Sequence, residues 1–508
     1  MNINPKLKIA LRALICITVM VFISSCKKEP IKITVIKSPE KVCQVDENQD
    51  KDTNPRRLRD ASAICDEAIV DKTSSIYPIF IDTLRARGIA VDSFQVCDCN
   101  KDLILIKSKG DVELIGAVES TKKTGEVIGL PILLTSNFFI DIDLFDLPQE
   151  DAEQTPDNPT GQNTNSDSIV YILDSLIVNS DLSQFNNFAV HSSTGGTHKI
   201  GINDCGTDTR GTNNILEMAG WKPASMLGSC FGSSTSPFGV NIPVPGGSPT
   251  DLLGHGVSVN SVFLNGNYVN PEGGNFEFIN TKFTENATTK GSLMDLLCGM
   301  HYLIQEGANP INVSAGFDTK EDSIPLIDRV VDLAEENGIV LVAGTGNGKD
   351  GSGGREGQEL GSINHFEPAR SFSKSEIGIA VGATNKAQDR LASFSNWSTG
   401  PEMTITAQGE EVLCIVPGYI TGSRSATKNH FIHRKGTSFS TPQVAGTVAA
   451  IFEVAPCIPP EAIKGILLSS GTTVPFATTP GLGSVPGNFI LLNHNEAILQ
   501  AQSLYSCP

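Results

Sequence analysis

The run Lys435-Gly436-Thr437-Ser438-Phe439-Ser440-Thr441-Pro442-Gln443-Val444-Ala445-Gly446 sets a serine behind a Gly-Thr pair and ahead of small and apolar residues that continue to Val454. Such a composition suits a buried helix from Phe439 to Val454, with Pro442 tolerated in its first turn. A hydroxyl at a helix N-terminus lies beside backbone N–H groups that can hold a tetrahedral oxyanion. A base is needed as well. His255 stands in Gly254-His255-Gly256-Val257-Ser258-Val259-Asn260-Ser261-Val262, where small neighbours allow its ring to approach a nucleophile. Val259 and Val262 fall on one side of a helix that follows it. Asp174 closes the apolar run Ile169-Val170-Tyr171-Ile172-Leu173 and is the candidate to hold the imidazole in one tautomer. Asn347, in Gly344-Thr345-Gly346-Asn347-Gly348, offers a neutral amide as a second oxyanion donor. The chemistry this set supports is acyl transfer through a covalent intermediate.

The segment around Ser438 resembles the nucleophile segment of subtilisin-like serine proteases, and the chain order Asp174, His255, Ser438 is the order of that family. No G-x-S-x-G elbow or H-E-x-x-H pair occurs, which disfavours an esterase and a zinc peptidase. Three further segments fit later landmarks of the family: Ala380-Val381-Gly382-Ala383-Thr384, Phe394-Ser395-Asn396-Trp397-Ser398 and Gly487 to Asn493. Ser314, Ala315 and Gly316, following Ile311-Asn312-Val313, resemble the strand that lines the main specificity pocket and pairs with extended substrate. The resemblance covers about residues 168 to 500. It departs from the family pattern at Leu176, where glycine is usual, at Val257, where threonine is usual, and at Asn260-Ser261. It implies a serine endopeptidase acting on protein or peptide substrates, with no required cofactor, no metal in the site and room for structural calcium. The alternative is an envelope-anchored binding protein on a catalytically degenerate scaffold of the same kind, for which Leu176 and Val257 speak.

These residues need a scaffold. Apolar runs at residues 169–173, 311–314, 338–343 and 377–381 read as strands buried on both faces, with helices at 291–306 and 324–337 between them. That alternation implies an α/β fold, a three-layer subtilisin-like domain over 168–508 whose central sheet is mainly parallel. Reacting groups in such sheets gather at the carboxyl ends of strands. Ahead of it, helices at 76–87 and 112–123 and strands at 91–96, 103–106 and 138–147 outline a small α/β domain over 60–145. By resemblance this domain is a propeptide that blocks the site; an accessory domain is the competing reading. Residues 146–167 form an acidic linker without Lys or Arg, suited to proteolytic cutting. The long stretch between Asp174 and His255, and residues 351–361, read as surface insertions.

Lys6, Lys8 and Arg12 precede a short apolar run that ends at Ser24-Ser25-Cys26. This reads as an export signal over residues 1–25, and Phe22 to Cys26 resembles a bacterial lipobox. The expectation is lipidation of Cys26, a polar tether over 26–59, and a place in the bacterial cell envelope at a membrane. The net charge of -18 argues against nucleic acid as a partner, since a phosphate backbone would be repelled. Cys16 leaves with the signal and Cys26 carries lipid, so ten of the twelve cysteines remain and permit up to five disulfides.

Overall fold

A computed structural model of the chain describes residues 63–141 apart from 98–99 and 110–113, the segments 198–204, 255–264 and 276–282, and residues 290–507 apart from 322, 352–353, 362–363, 418–428, 480–481 and 483–484. The export signal, Cys26, the tether, the acidic linker and Asp174 lie outside the described residues.

Alternation along the first strands builds the N-terminal unit. Strands β1 (Ala63–Asp71), β2 (Val91–Val96), β3 (Leu103–Ser108) and β4 (Leu134–Asp141) pair antiparallel in the order β2-β3-β1-β4. Ala68, Val70, Ile104 and Ile106 face helices α1 (Ile76–Ala86) and α2 (Ile115–Ile128), packing on Phe80, Leu84, Ala117 and Val118. Ile69, Leu103, Leu105, Phe138 and Ile140 point the other way, as the period of two requires. They meet Leu293, Met294 and Leu297 of helix α4 (Leu293–Gln305), an element of the larger unit. A short strand β7 (Lys290–Ser292), just before α4, adds itself antiparallel to β4 and completes a five-stranded sheet. The two units thus share a ladder and a core. The side-chain oxygen of Asn137 accepts from Met294 N at 3.2 Å, supplying an acceptor to the first turn of α4. Its amide nitrogen donates to Glu67 at 2.7 Å. Lys122 reaches Glu321 at 2.7 Å across the same boundary.

The larger unit has an eight-stranded sheet. From one edge its order is β18 (Thr472–Pro475), β19 (Asn488–Leu491), β15 (Ile405–Gln408), β14 (Gly378–Thr384), β10 (Leu341–Gly344), β8 (Ile311–Val313), β5 (His198–Asp204) and β6 (Phe276–Lys282). Every pair is parallel except β18 with β19. Both faces are covered. Leu341 and Ala343 join α4, α5 (Pro325–Glu336) and α6 (Ala369–Lys374) on one side. Val340 and Val342 join α3 (His255–Leu264), α7 (Thr437–Val454), α8 (Pro460–Ser470) and α9 (His494–Leu504) on the other. This is the expected three-layer α/β arrangement, and continuous apolar strands are its cause.

Among the described residues one disulfide, Cys457–Cys507, ties the end of α7 to the chain after α9. Cys414 is a buried thiol, pushed up to about 12 by burial, with its Sγ on Val412 O. That thiol lowers the number of bridges the cysteine count allowed. The expected insertion at 351–361 contains part of a hairpin, β11 (Lys349–Gly351) with β12 (Gly354–Glu356).

Candidate active site

Because the sheet is parallel, β5, β8 and β10 all end on one edge, and α7 begins there. Gly436, the residue before α7, has φ 143°, a backbone setting that L side chains rarely adopt. That turn places Ser438 as the second residue of the helix, 7 % exposed. The polar residues of α7 can be buried because they bond back to the helix: Ser440 Oγ and Thr441 Oγ1 both donate to Thr437 O, and Thr447 Oγ1 to Gln443 O.

Ser438 is locked to the end of β8. Its Oγ donates to the carbonyl of Ser314 at 2.9 Å, and Ser314 Oγ donates to the carbonyl of Ser438 at 2.9 Å. Asn312 Nδ2 holds the Ser314 hydroxyl from beneath at 3.0 Å. Ser314 and Ala315, which with Gly316 follow β8, are buried at this edge. The Ser438 hydroxyl proton therefore rests on a backbone carbonyl.

Asn347 lies beyond β10 and is tied to the same turn. Its Oδ1 accepts from Thr437 N at 2.8 Å and from Thr437 Oγ1 at 3.0 Å. Since a backbone N–H can only donate, the amide's orientation is fixed, with its oxygen on Thr437 and its NH2 left for another acceptor. Gly346 N donates to Thr437 Oγ1 at 3.2 Å and completes the link. Asn347 is 7 % exposed, matching Ser438.

His255 opens α3 and is fully buried. Its ring stacks at a tilt on Phe439, centroid to centroid 5.5 Å, and Phe439 is the residue after Ser438. Val259 and Val262 are buried together in the core with Phe263, as their spacing predicts. The guanidinium of Arg434 lies over the far partner of this stack, 5.8 Å from the Phe439 ring centre. The structure ties Ser438, Asn347 and Ser314 to one turn and sets the His255 ring against Phe439, the residue after Ser438.

The aspartate is a different matter. Asp174 and its strand fall outside the described residues, and the strand beside β8 is β5. Its register pairs Gly201 with Ile311, Ile202 with Asn312 and Asn203 with Val313. The last residue of β5, Asp204, therefore stands one step on, level with Ser314. Sequence reading passed over this strand because Gly201 and Asn203 dilute its apolar pattern, whereas residues 169–173 are uniformly apolar. A signal was present. Asp204-Cys205-Gly206 has the glycine two places after the aspartate that Asp174 lacks at Leu176.

Residues 238–484 match the family model of the subtilase family, a stretch that holds His255, Asn347 and Ser438 and neither Asp174 nor Asp204. An extracellular protease of Xanthomonas campestris pv. campestris is 35% identical over 107 residues, 21% of this chain and 17% of that protein. An intracellular serine protease of Paenibacillus polymyxa is 31% identical over 163 residues, 32% of this chain and 41% of that protein. The chain thus spans less than half the length of these curated relatives. Fervidolysin from Fervidobacterium pennivorans, a keratinolytic enzyme related to subtilisin, matches with a TM-score of 0.52 at 17% identity, covering 87% of this chain and 62% of that one. At that identity the likeness concerns the fold: the chain has the α/β subtilase fold.

Proposed function

We propose that the chain is a serine endopeptidase that hydrolyses peptide bonds through an acyl-enzyme. The observation that carries this reading is the placement of Ser438 at the start of α7, behind the positive-φ Gly436 and tied to Ser314, with Asn347 fixed beside it through Thr437. In the proposed cycle the Ser438 hydroxyl rotates from the Ser314 carbonyl to His255, which takes its proton as the oxygen attacks the substrate carbonyl. The Ser438 N–H and the Asn347 amide hold the oxyanion. Protonated His255 then expels the amine, and water resolves the ester. For the aspartate that orients the imidazole we propose Asp204 in place of Asp174. Its support is its level with Ser314 at the carboxyl edge and the glycine at Gly206.

We also propose that residues 63–141 act as an intramolecular cover or propeptide, a reading supported by their shared ladder with β7 and shared core with α4. Lipidation at Cys26 and residence in the bacterial envelope are proposed on the sequence alone. The cycle requires no cofactor. A structural calcium, suggested by the resemblance, takes no part in this cycle.

The test is covalent labelling of the correctly processed protein by a fluorophosphonate, with Ser438→Ala as control. Labelling that disappears in the variant is the expected result. A folded, correctly processed protein that resists labelling, while still binding peptides, would favour the anchored binding protein on a degenerate scaffold.

A further inference from the structure

The strands β8 and β10 run side by side, with Leu341, Val342 and Ala343 paired to Ile311, Asn312 and Val313. Past their ends the two chains continue as Ser314-Ala315-Gly316 and Thr345-Gly346-Asn347, and both are bonded to the turn that carries Ser438. The slot between these two extensions adjoins the turn that carries Ser438. Its walls are glycines, and the ring of Phe366 stands between them. A Cβ built on Gly316 would lie 2.4 Å from Phe366 Cε1 and 2.8 Å from Cζ. One built on Gly346 would lie 2.6 Å from Cε2 and 2.7 Å from Cδ2. These atoms belong to opposite edges of one ring, so the ring is wedged edgewise in the slot, and neither wall can carry a side chain while it is there.

The backbone around the wedge leaves it little room to withdraw. Phe366 is the middle residue of β13 (His365–Glu367), which pairs antiparallel with β9 (Phe317–Thr319) immediately after Gly316. The carbonyl of Glu367 would meet the same Gly316 Cβ at 2.3 Å, so strand and wall are in contact. On the other side Asn396 Nδ2 donates to Thr345 O at 2.8 Å and holds the second wall. His365 and Glu367 are buried while Phe366 itself is only half-buried and packs against the core from its margin. It is a surface of the slot and not a member of the sealed interior.

From this geometry we infer that Phe366 is the floor of the pocket that receives the side chain on the acyl side of the cleaved bond, and that it restricts that residue to Gly, Ala or Ser. The inference rests on the hydrolase reading above and deepens it. A substrate strand laid against Ser314-Ala315-Gly316 directs that side chain into the slot. A methyl or hydroxymethyl group ends above the ring, whereas an aromatic or long aliphatic side chain occupies the volume the ring already fills. Hydrophobic pockets distinguish substrates by size through such overlap.

The experiment uses the full chain after maturation and peptide p-nitroanilides that differ only in the last residue, Ala, Leu or Phe. The wild type is expected to favour Ala over Phe in kcat/KM by at least about tenfold. Phe366→Ala should shift that ratio toward Phe by about tenfold or more, and Phe366→Leu should fall between, which protects the test if the smaller variant folds poorly. A wild type that prefers Phe or Leu, or a ratio that neither variant moves, overturns the inference. Should no substrate be turned over, binding of peptides ending in Ala or Phe to Ser438→Ala, with and without Phe366→Ala, separates the two claims. A preference for Ala that the second substitution abolishes keeps the pocket and ends the hydrolase reading; equal binding ends both.

Discussion

Glu367 gives the structure a measurable pH signature. The residue follows Phe366 and is fully buried, with Oε2 accepting from Ser371 N at 3.0 Å. Burial is the main cause that raises its carboxyl from the ordinary 4.5 to about 7; the Ser371 bonds and Lys374 pull it down, and nearby Asp328 adds to the rise. An acid whose folded pKa is raised keeps a proton that the unfolded chain has released. Folding therefore loses stability as pH climbs from 4.5 to about 7 and stays at the lower level above that. The rise from 4.5 to about 7, at about 1.36 kcal/mol per pH unit, corresponds to a loss of about 3 kcal/mol by pH 8. Glu367→Gln can still accept from Ser371 and carries no charge, so it escapes this loss. Urea unfolding in a Ser438→Ala background, which removes self-digestion, should show the variant more stable than its parent at pH 8. The gap should shrink steadily toward pH 5. A gap that does not change with pH, or a variant that is less stable at pH 8, would refute the assignment of a buried, protonated carboxyl.

Asn347→Ala removes both the proposed oxyanion donor and the acceptor for Thr437; kcat on a peptide p-nitroanilide should fall about 10²- to 10³-fold, and stability by about 1–3 kcal/mol. Asn347→Asp keeps the acceptor and loses the donor, so its kcat should fall at least as far while its Tm stays nearer the wild type; an active Asp variant would exclude the amide from the reaction. Asp204→Asn should lower kcat by about 10⁴ with the fold retained, as judged by circular dichroism. A larger loss from Asp174→Asn would return the role to that residue. Cys507→Ser opens a loop with a sequence separation of 50 residues, for which chain entropy alone gives an upper value of about 4 kcal/mol. Its Tm should match that of the reduced wild type, and equality with the oxidised wild type would show the bridge to be dispensable.

The parts of the molecule that could be read from sequence are those where a local pattern and a global need coincide. The strand Val91–Val96 and the helices Leu293–Gln305 and Pro325–Glu336 fall where the sequence places them, and each of the two helices buries the face its pattern marks. Three strands of the central sheet, β8, β10 and β14, were readable from apolar runs for the same reason. The rest depends on contacts between distant segments. The addition of β7 to β4 is invisible in residues 290–292, which have no strand signature, and arises from pairing across more than 140 residues of chain. The choice between Asp174 and Asp204 could not rest on apolar character, since β5 takes its place through its register with β8. Phe366 escaped notice because its meaning lies in two glycines far from it in the chain.

The ladder between β4 and β7 has a consequence for any cut made in residues 142–197. Severing the backbone there leaves the two fragments zipped to each other and still sharing Ile69, Leu103, Leu105 and Phe138 with α4. Liberation is then a separate event, in which that apolar face must become wet again. A nicked molecule and a dissociated one are distinct species, and the interval between them is governed by an off-rate and by dilution, independently of how fast the bond was broken.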